Sequence, residues 1–250
     1  QPVRVLLFTW PSDGSALPWA SYKSDGADAR GTAGALGRAL LKLRDQLHQL
    51  GREVRQNSAE VRLLRQQMSG RPAAEVERAV AQLEATQLCA QKLHLLAHSM
   101  GNYVLQNALQ RIFDFSPGNQ LPRLFDHVFL CAPDIDDDAL EADKPMARVH
   151  QVAQAVAVYH NANDTALKIS DYTKGNPDRL GQRGAARPQA LHQKIQQVDC
   201  APLVTGLTQH SYYTNGLIAR DIRLALQGVL PTQRGLRATG TAPNCWSFSR

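Results

Sequence analysis

The clearest candidate for chemistry is the serine in Ala97-His98-Ser99-Met100-Gly101. A nucleophile elbow consists of a strand, a sharp turn with strained backbone at the nucleophile, and a helix. An apolar run, Leu93–Leu96, precedes this turn, and a helical pattern, Asn102–Leu109, follows it. Small residues two positions before and after Ser99 let the strand and the helix approach closely. The pattern predicts that Ser99 is a nucleophile; the alternative is a serine that caps a helix N-terminus.

A serine hydroxyl is a poor nucleophile at neutral pH, so it needs a base, and the base needs an orienting carboxylate. In folds with this elbow the partners follow in the order Ser, then Asp or Glu, then His. Each lies in a loop after the C-terminal end of a strand. Asp164 follows the predicted strand Ala155–His160, and His210 follows the predicted strand Lys194–Val198. Their order and positions predict Asp164 as the acid and His210 as the base.

These assignments have alternatives. Asp164 is also suited to cap a turn or a helix that starts at Thr165. His210 is one of eight histidines and is equally compatible with an ordinary surface position. Asp134 competes with Asp164 as the acid, because it follows the predicted strand that ends at Cys131.

One acidic run resembles a metal site but lacks essential ligands. Asp134, Asp136 and Asp138 are spaced like the start of a calcium loop. Ala139 and Pro145, however, stand where such a loop needs glycine and glutamate. We therefore expect no calcium here.

Histidine and cysteine spacing gives no metal site either. His94 and His98 are four residues apart, but Leu95 stands where the H-E-x-x-H motif has glutamate. The four cysteines form no C-x-x-C pair. One of them, Cys131, lies in an apolar run and is predicted to be buried. We expect neither a metal nor a cofactor.

Acyl transfer through Ser99 also requires donors for the developing oxyanion. The backbone N–H of Met100 is the expected first donor, because it follows the nucleophile. The second donor usually comes from a loop after an earlier strand, and no such motif lies ahead of Val3. Trp10 and Tyr212 either line the substrate pocket or pack in the interior.

Five short runs of mainly apolar residues predict strands, at Val3–Thr9, Lys92–Leu96, His127–Cys131, Ala155–His160 and Lys194–Val198. Helical patterns are at Ala35–Met68, Ala73–Leu88, Asn102–Phe113, Asp138–Val149 and Thr214–Gln227. Near-continuous apolar strands alternating with helices are typical of a doubly wound α/β fold with a mostly parallel sheet. Glycine, proline and polar residues predict a mobile loop at Thr173–Pro188 and an irregular tail after Gln227.

A heptad-like seam runs through the first helical pattern, from Leu36 to Met68. Apolar residues recur in steps of four and three, with Asn57 as the polar exception and Gly51 as a weak point. Together with the next helix it predicts a helical hairpin over residues 32–90, inserted in a single domain spanning residues 1–250. The hairpin is a structural support, a lid or a dimer surface; the seam raises the possibility of a homodimer.

The composition narrows the choice of partners. The chain has 250 residues, a formal net charge of +6 and 43% hydrophobic residues. Its basic residues are scattered among acidic ones, which indicates a solvated surface and no nucleic-acid site. No apolar run approaches the length of a membrane span, and no signal peptide is present in the sequence. These features leave the compartment open.

Several motifs together resemble an uncharacterised bacterial α/β-hydrolase family of esterase- or lipase-like proteins. The matches are Phe8–Gly14 (FTWPSDG), His94–Gly101 (HLLAHSMG), Ala132–Asp136 (APDID), Asn163–Leu167 (NDTAL) and His210–Tyr212 (HSY), in that order. The resemblance implies Ser99 as nucleophile, Asp164 as acid and His210 as base.

Two features depart from that family. The family's earlier strand and His-Gly-Phe-type loop would lie before Gln1, and its segment between the W-P-S turn and the elbow is usually shorter.

Taken together, the motifs predict a serine hydrolase acting on a small-molecule ester or related acyl bond. The alternative is a non-catalytic interaction protein that keeps the fold and binds partners through the hairpin.

Overall fold

A computed structural model of the chain describes residues 4–12, 18–56, 59–86, 92–114, 116, 121–144, 146–168, 178–204 and 210–249. Its strands are β1 (His94–His98), β2 (Phe125–Cys131), β3 (Ala153–His160), β4 (Ile195–Asp199), β5 (Leu236–Ala238) and β6 (Cys245–Phe248). Its helices are α1 (Pro18–Gln56), α2 (Ala59–Gln67), α3 (Ala73–Thr86), α4 (Gly101–Asp114), α5 (Val149–Val152), α6 (Leu180–Arg183) and α7 (Gly216–Leu226).

The six strands within the described residues form one mostly parallel sheet in the order β1-β2-β3-β4-β6-β5, and of these strand pairs only β5–β6 is antiparallel. Strands β2 and β3 are in the interior of the sheet, and their central residues are almost fully buried. Apolar residues on both faces of these strands let helices cover the sheet on each side. The predicted α/β fold with a mostly parallel sheet is confirmed.

The sheet also fixes where functional loops meet. In parallel strands the carboxyl ends lie at one edge, and loops that leave them converge there. In the registry of the sheet, His98 pairs with Cys131, and Cys131 in turn pairs with Tyr159. The turns after β1, β2 and β3 therefore begin side by side.

The prediction of a strand at Val3–Thr9 is wrong for the described residues 4–9, which have no regular structure. Val5 and Leu7 are 82% and 85% exposed. A strand requires a neighbour that pairs with its backbone, and β1 pairs with β2 alone among the described strands. Apolar, β-branched residues are therefore not sufficient here.

The predicted helix Asp138–Val149 is also wrong. The described residues of this stretch form successive turns, and only α5 is helical. Pro145 lacks the N–H that a helix interior needs. The backbone is satisfied by local bonds, such as Met146 N–H to the Ala139 carbonyl at 3.1 Å.

The C-terminal part is more ordered than its composition suggests. Instead of an irregular tail, it contains β5 and β6, and Gly240 and Pro243 lie in the turn between them. The described part of the predicted loop at 173–188 is likewise structured, because it includes α6 and the buried residues Arg179 and Leu180. Residues 173–177 lie outside the described residues.

The chain divides into two compact units, Gln1–Arg38 with Leu93–Arg250 and Ala39–Lys92. The second unit is helical, and its helices α2 and α3 are linked by an ion pair between Arg65 and Glu77 at 3.3 Å. Its apolar residues Val61 and Val80 are almost completely buried. Of the seam positions in this unit, Leu43 and Leu47 are half-buried.

None of the helices within the described ranges combines the length and the apolar character needed to cross a bilayer.

Candidate active site

Ser99 occupies the turn between β1 and α4, as the sequence predicts. Its φ is +52°, in the left-handed region that non-glycine residues rarely adopt. The N–H of Ser99 donates to the Cys131 carbonyl at 3.0 Å, which ties the turn to the end of β2. A side chain at Gly101 would approach the Trp10 indole ring at 3.7 Å, so that ring packs on the first residue of α4. The strand, the strained turn and the helix are thus all present.

Asn102 holds this turn from inside and was not singled out by the sequence. It is fully buried. Its Nδ2 lies 3.0 Å from the Ser99 carbonyl, 3.2 Å from that of Ala97 and 3.4 Å from that of Cys131. One amide group therefore links both sides of the strained turn to β2. The only sequence signal is an amide residue directly after the elbow glycine, a position that otherwise suits any helix former.

Asp164 lies in the loop after β3 and is 1% exposed. Its Oδ1 accepts the N–H groups of Ala166 and Leu167 at 3.1 and 3.2 Å, and so caps the helical turn at 165–168. Its Oδ2 lies 2.8 Å from His210 Nδ1. The capping role and the contact with histidine are therefore compatible, because they use different oxygens.

His210 lies against the end of β1. Its ring centroid is 4.7 Å from that of His98, and its carbonyl is 3.4 Å from His98 Nε2. Tyr213 is on the same loop as His210, and its ring centroid lies 4.8 Å from that of His98. Burial lowers the pKa of His98, and the neighbouring His210 lowers it further. Because His98 precedes Ser99, these contacts bring the imidazole of His210 to the elbow.

Asp134 occupies a different environment from Asp164. Its carboxylate lies 3.6 Å from Nε of the buried Arg179, whose Nη1 donates to Asp136 at 2.5 Å. The backbone N–H of Asp134 donates to the Ser99 carbonyl at 3.3 Å. Asp134 is thus beside the elbow, whereas Asp164 is the carboxylate in contact with His210.

Comparison with known proteins identifies the wider family. A family model described as an alpha/beta hydrolase of unknown function (DUF900) matches residues 65–221, which is more than half of the chain. The chain belongs to this family. No curated protein and no solved structure matches it. Membership in the alpha/beta hydrolases indicates hydrolytic activity.

The segment that matches the alpha/beta hydrolase family contains Ser99, Asp164 and His210, whereas the W-P-S turn at Trp10 lies outside it. Met100 precedes the first residue of α4, so its N–H lies at the positive end of a helix dipole.

Tyr212 is a packing residue in this alpha/beta hydrolase. It is 2% exposed and donates its hydroxyl to the Tyr159 carbonyl at 2.9 Å.

The histidines considered as metal ligands point to different neighbours. His94 Nδ1 lies 3.3 Å from His127 Nδ1, whereas His98 contacts His210. Across the described part of this hydrolase, no three His, Cys, Asp or Glu side chains come together as metal ligands.

Proposed function

We propose that this alpha/beta hydrolase cleaves an ester or a related acyl bond with Ser99 as nucleophile, His210 as base and Asp164 as orienting acid. The observation that carries the proposal is the 2.8 Å contact between His210 Nδ1 and the buried carboxylate of Asp164. The strained φ of Ser99 and the packing of His210 against the adjacent His98 support it.

The arrangement suits the following reaction. The Asp164 carboxylate accepts the Nδ1–H of His210, which leaves Nε2 free to take a proton. His210 removes the Ser99 hydroxyl proton as Oγ bonds to the substrate carbonyl carbon. The N–H of Met100 donates to the resulting oxyanion. When the tetrahedral intermediate collapses, the bond to the leaving group breaks and His210 protonates that group.

Water then completes the cycle. It attacks the acyl-Ser99 carbonyl carbon while His210 takes one of its protons. The bond to Oγ breaks, the proton returns to Ser99, and the carboxylic acid leaves. The Asp164 carboxylate stabilises the imidazolium that forms twice per turnover.

A fluorophosphonate probe tests this proposal, because it phosphonylates an activated serine. We expect covalent labelling of the wild type and none of Ser99→Ala. Ser69→Ala is the matched control, because Ser69 is an exposed serine in a turn of the helical unit. Labelling that persists in Ser99→Ala would assign the nucleophile elsewhere. A folded wild type that is neither labelled nor active on p-nitrophenyl esters would favour the non-catalytic alternative.

We also propose that the helical unit mediates a homodimer, on the basis of its apolar seam. Leu43 and Leu47 are half-buried within the protein, so part of each side chain remains accessible to a second copy. Replacing both with Asp should convert a dimer to a monomer in analytical ultracentrifugation. A wild type that sediments as a monomer at all concentrations would refute this proposal.

A further inference from the structure

Gly181, in α6, lies where the three loops of the candidate site meet. Its φ is outside the left-handed region, so a glycine is not required by backbone conformation. Space is the constraint. A Cβ at this position would lie 2.4 Å from the Ala132 carbonyl carbon and 2.5 Å from the Pro133 nitrogen. Since real Cβ atoms do not approach so closely, only glycine fits without displacing backbone.

The first contact leads to the nucleophile. The N–H of Gly181 donates to the Pro133 carbonyl at 2.9 Å, in the turn after β2. The next residue, Asp134, donates its N–H to the Ser99 carbonyl at 3.3 Å. Ala132 in the same turn has a φ of +45°, so this turn is itself strained.

The second contact leads to the acid. The carbonyl of Gly181 accepts the N–H of Asn161 at 2.9 Å, and the Asn161 carbonyl accepts the N–H of Asp164 at 3.0 Å. The Leu167 side chain lies 2.7 Å from where a Cβ on Gly181 would be. The backbone N–H of Leu167 donates to Asp164 Oδ1, so the residue that a Cβ would crowd also holds the carboxylate.

The third contact leads to the base. The Tyr212 hydroxyl lies 3.3 Å from the Gly181 carbonyl and 2.9 Å from the Tyr159 carbonyl. Tyr212 is two residues after His210, on the same short loop. The buried Arg179 directly precedes α6. It ties this helix to the turn after β2, because its guanidinium donates to Asp136 in that turn.

We propose that Gly181 is a positioning residue that sets the distance between Asp164 and His210 on one side and Ser99 on the other. The inference rests on the proposed function, because it concerns the same three groups. It adds a requirement that the motifs do not contain: a close approach between α6 and the turn after β2.

The size of the effect follows from the contacts. Ordinary van der Waals contact needs about 3.4–4 Å, so the backbone at Ala132 must retreat by about 1 Å from a Cβ at 2.4 Å. A misplacement of about 1 Å at a catalytic group lowers the rate by about 10²-fold. We expect Gly181→Ala to lower kcat by about 10²-fold and to leave KM within about twofold.

The experiment compares kcat and KM of wild type, Gly181→Ala and Gly216→Ala on p-nitrophenyl butyrate. Gly216 is exposed at the start of α7, and nothing lies within 4 Å of its Cβ position. Displacement of the catalytic groups impairs the chemical step more than substrate binding, so kcat should fall in Gly181→Ala with KM nearly unchanged. Both constants should keep their wild-type values in Gly216→Ala. Circular dichroism at the assay temperature measures the folded fraction of each variant, so that loss of folded protein is not counted as a loss of kcat.

Two further measurements keep the test decisive. Tyr212→Phe removes only the hydroxyl, which lies 2.9 Å from the Tyr159 carbonyl and 3.3 Å from the Gly181 carbonyl, and serves if Gly181→Ala does not fold. We expect about a tenfold lower kcat with KM within about twofold. The NMR resonance of the His210 Nδ1 proton reports the contact with Asp164 whether or not the protein is active. Its displacement in these variants supports the inference, even if an inactive, unlabelled wild type refutes the proposed function. An unchanged resonance in the folded variants, or an unchanged kcat where the wild type is active, would overturn it.

Discussion

Replacement of Asn102 by Ala tests how the strained turn at Ser99 is held. The Nδ2 group lies within hydrogen-bonding distance of three carbonyls, but it has only two hydrogens. Each net bond contributes about 1 kcal/mol. The Ser99 carbonyl also accepts the N–H groups of Asn102 and Asp134, so it is not left unsatisfied. With a small cavity added, we expect the free energy of unfolding to fall by about 2–3 kcal/mol.

Urea unfolding at pH 7 measures this change, with Asn107→Ala as the control. Asn107 lies on the same helix and donates its Nδ2 to the Tyr103 carbonyl one turn away, at 2.7 Å. That local bond should contribute less, about 0.5–1 kcal/mol. Asn102→Asp places a carboxylate against carbonyl oxygens and should destabilise more than Asn102→Ala. If both Asn102 variants are as stable as Asn107→Ala, the amide does not hold the turn and the reasoning fails.

Two other expectations follow from the site. Asp164→Asn should lower kcat by about 10⁴-fold, because the histidine loses its orienting charge. Asp134→Asn should retain most activity and lower the free energy of unfolding by about 3 kcal/mol, because it breaks a buried ion pair with Arg179. Steady-state kinetics and urea unfolding of both variants separate an effect on catalysis from an effect on stability. A large loss of kcat in Asp134→Asn, with activity kept in Asp164→Asn, would make Asp134 the acid. The lowered pKa of half-buried His98 means that the unfolded chain binds more protons. The free energy of unfolding should therefore fall as the pH decreases through 6.5, and His98→Phe should flatten that dependence; equal slopes in urea titrations would contradict it.

Strands in the interior of the sheet were the most predictable part of the fold. β2 and β3 are covered on both faces, so their apolar runs are nearly continuous and stand out in the sequence. The run at Val3–Thr9 looks the same, yet its described residues are exposed, because pairing depends on a neighbour that composition does not reveal. β5 and β6 form although their sequences do not predict strands. Both are short, and Gly240 and Pro243, which suggest an irregular tail, lie in the turn between them.

The residues of the candidate site also differ in whether the sequence could predict them. Ser99, Asp164 and His210 could be selected from the sequence because each follows a strand, and the apolar runs that form strands can be recognised in the sequence. Asn102 and Gly181 could not, because their roles depend on which carbonyls and which turn lie opposite them in space. Gly181 in particular lies within a segment whose glycine and arginine content suggests a mobile loop. Only the fold shows that the glycine is required by close packing.

The +52° φ of Ser99 has a consequence for how this chain responds to selection. Left-handed backbone costs a residue with a Cβ about 1 kcal/mol, and glycine avoids that cost. A population selected for thermal stability alone would therefore gain from glycine at position 99 and lose the hydroxyl with it. Under the proposed function, stability and reactivity therefore compete at one backbone dihedral angle, and a gain in stability that keeps the nucleophile must come from other positions.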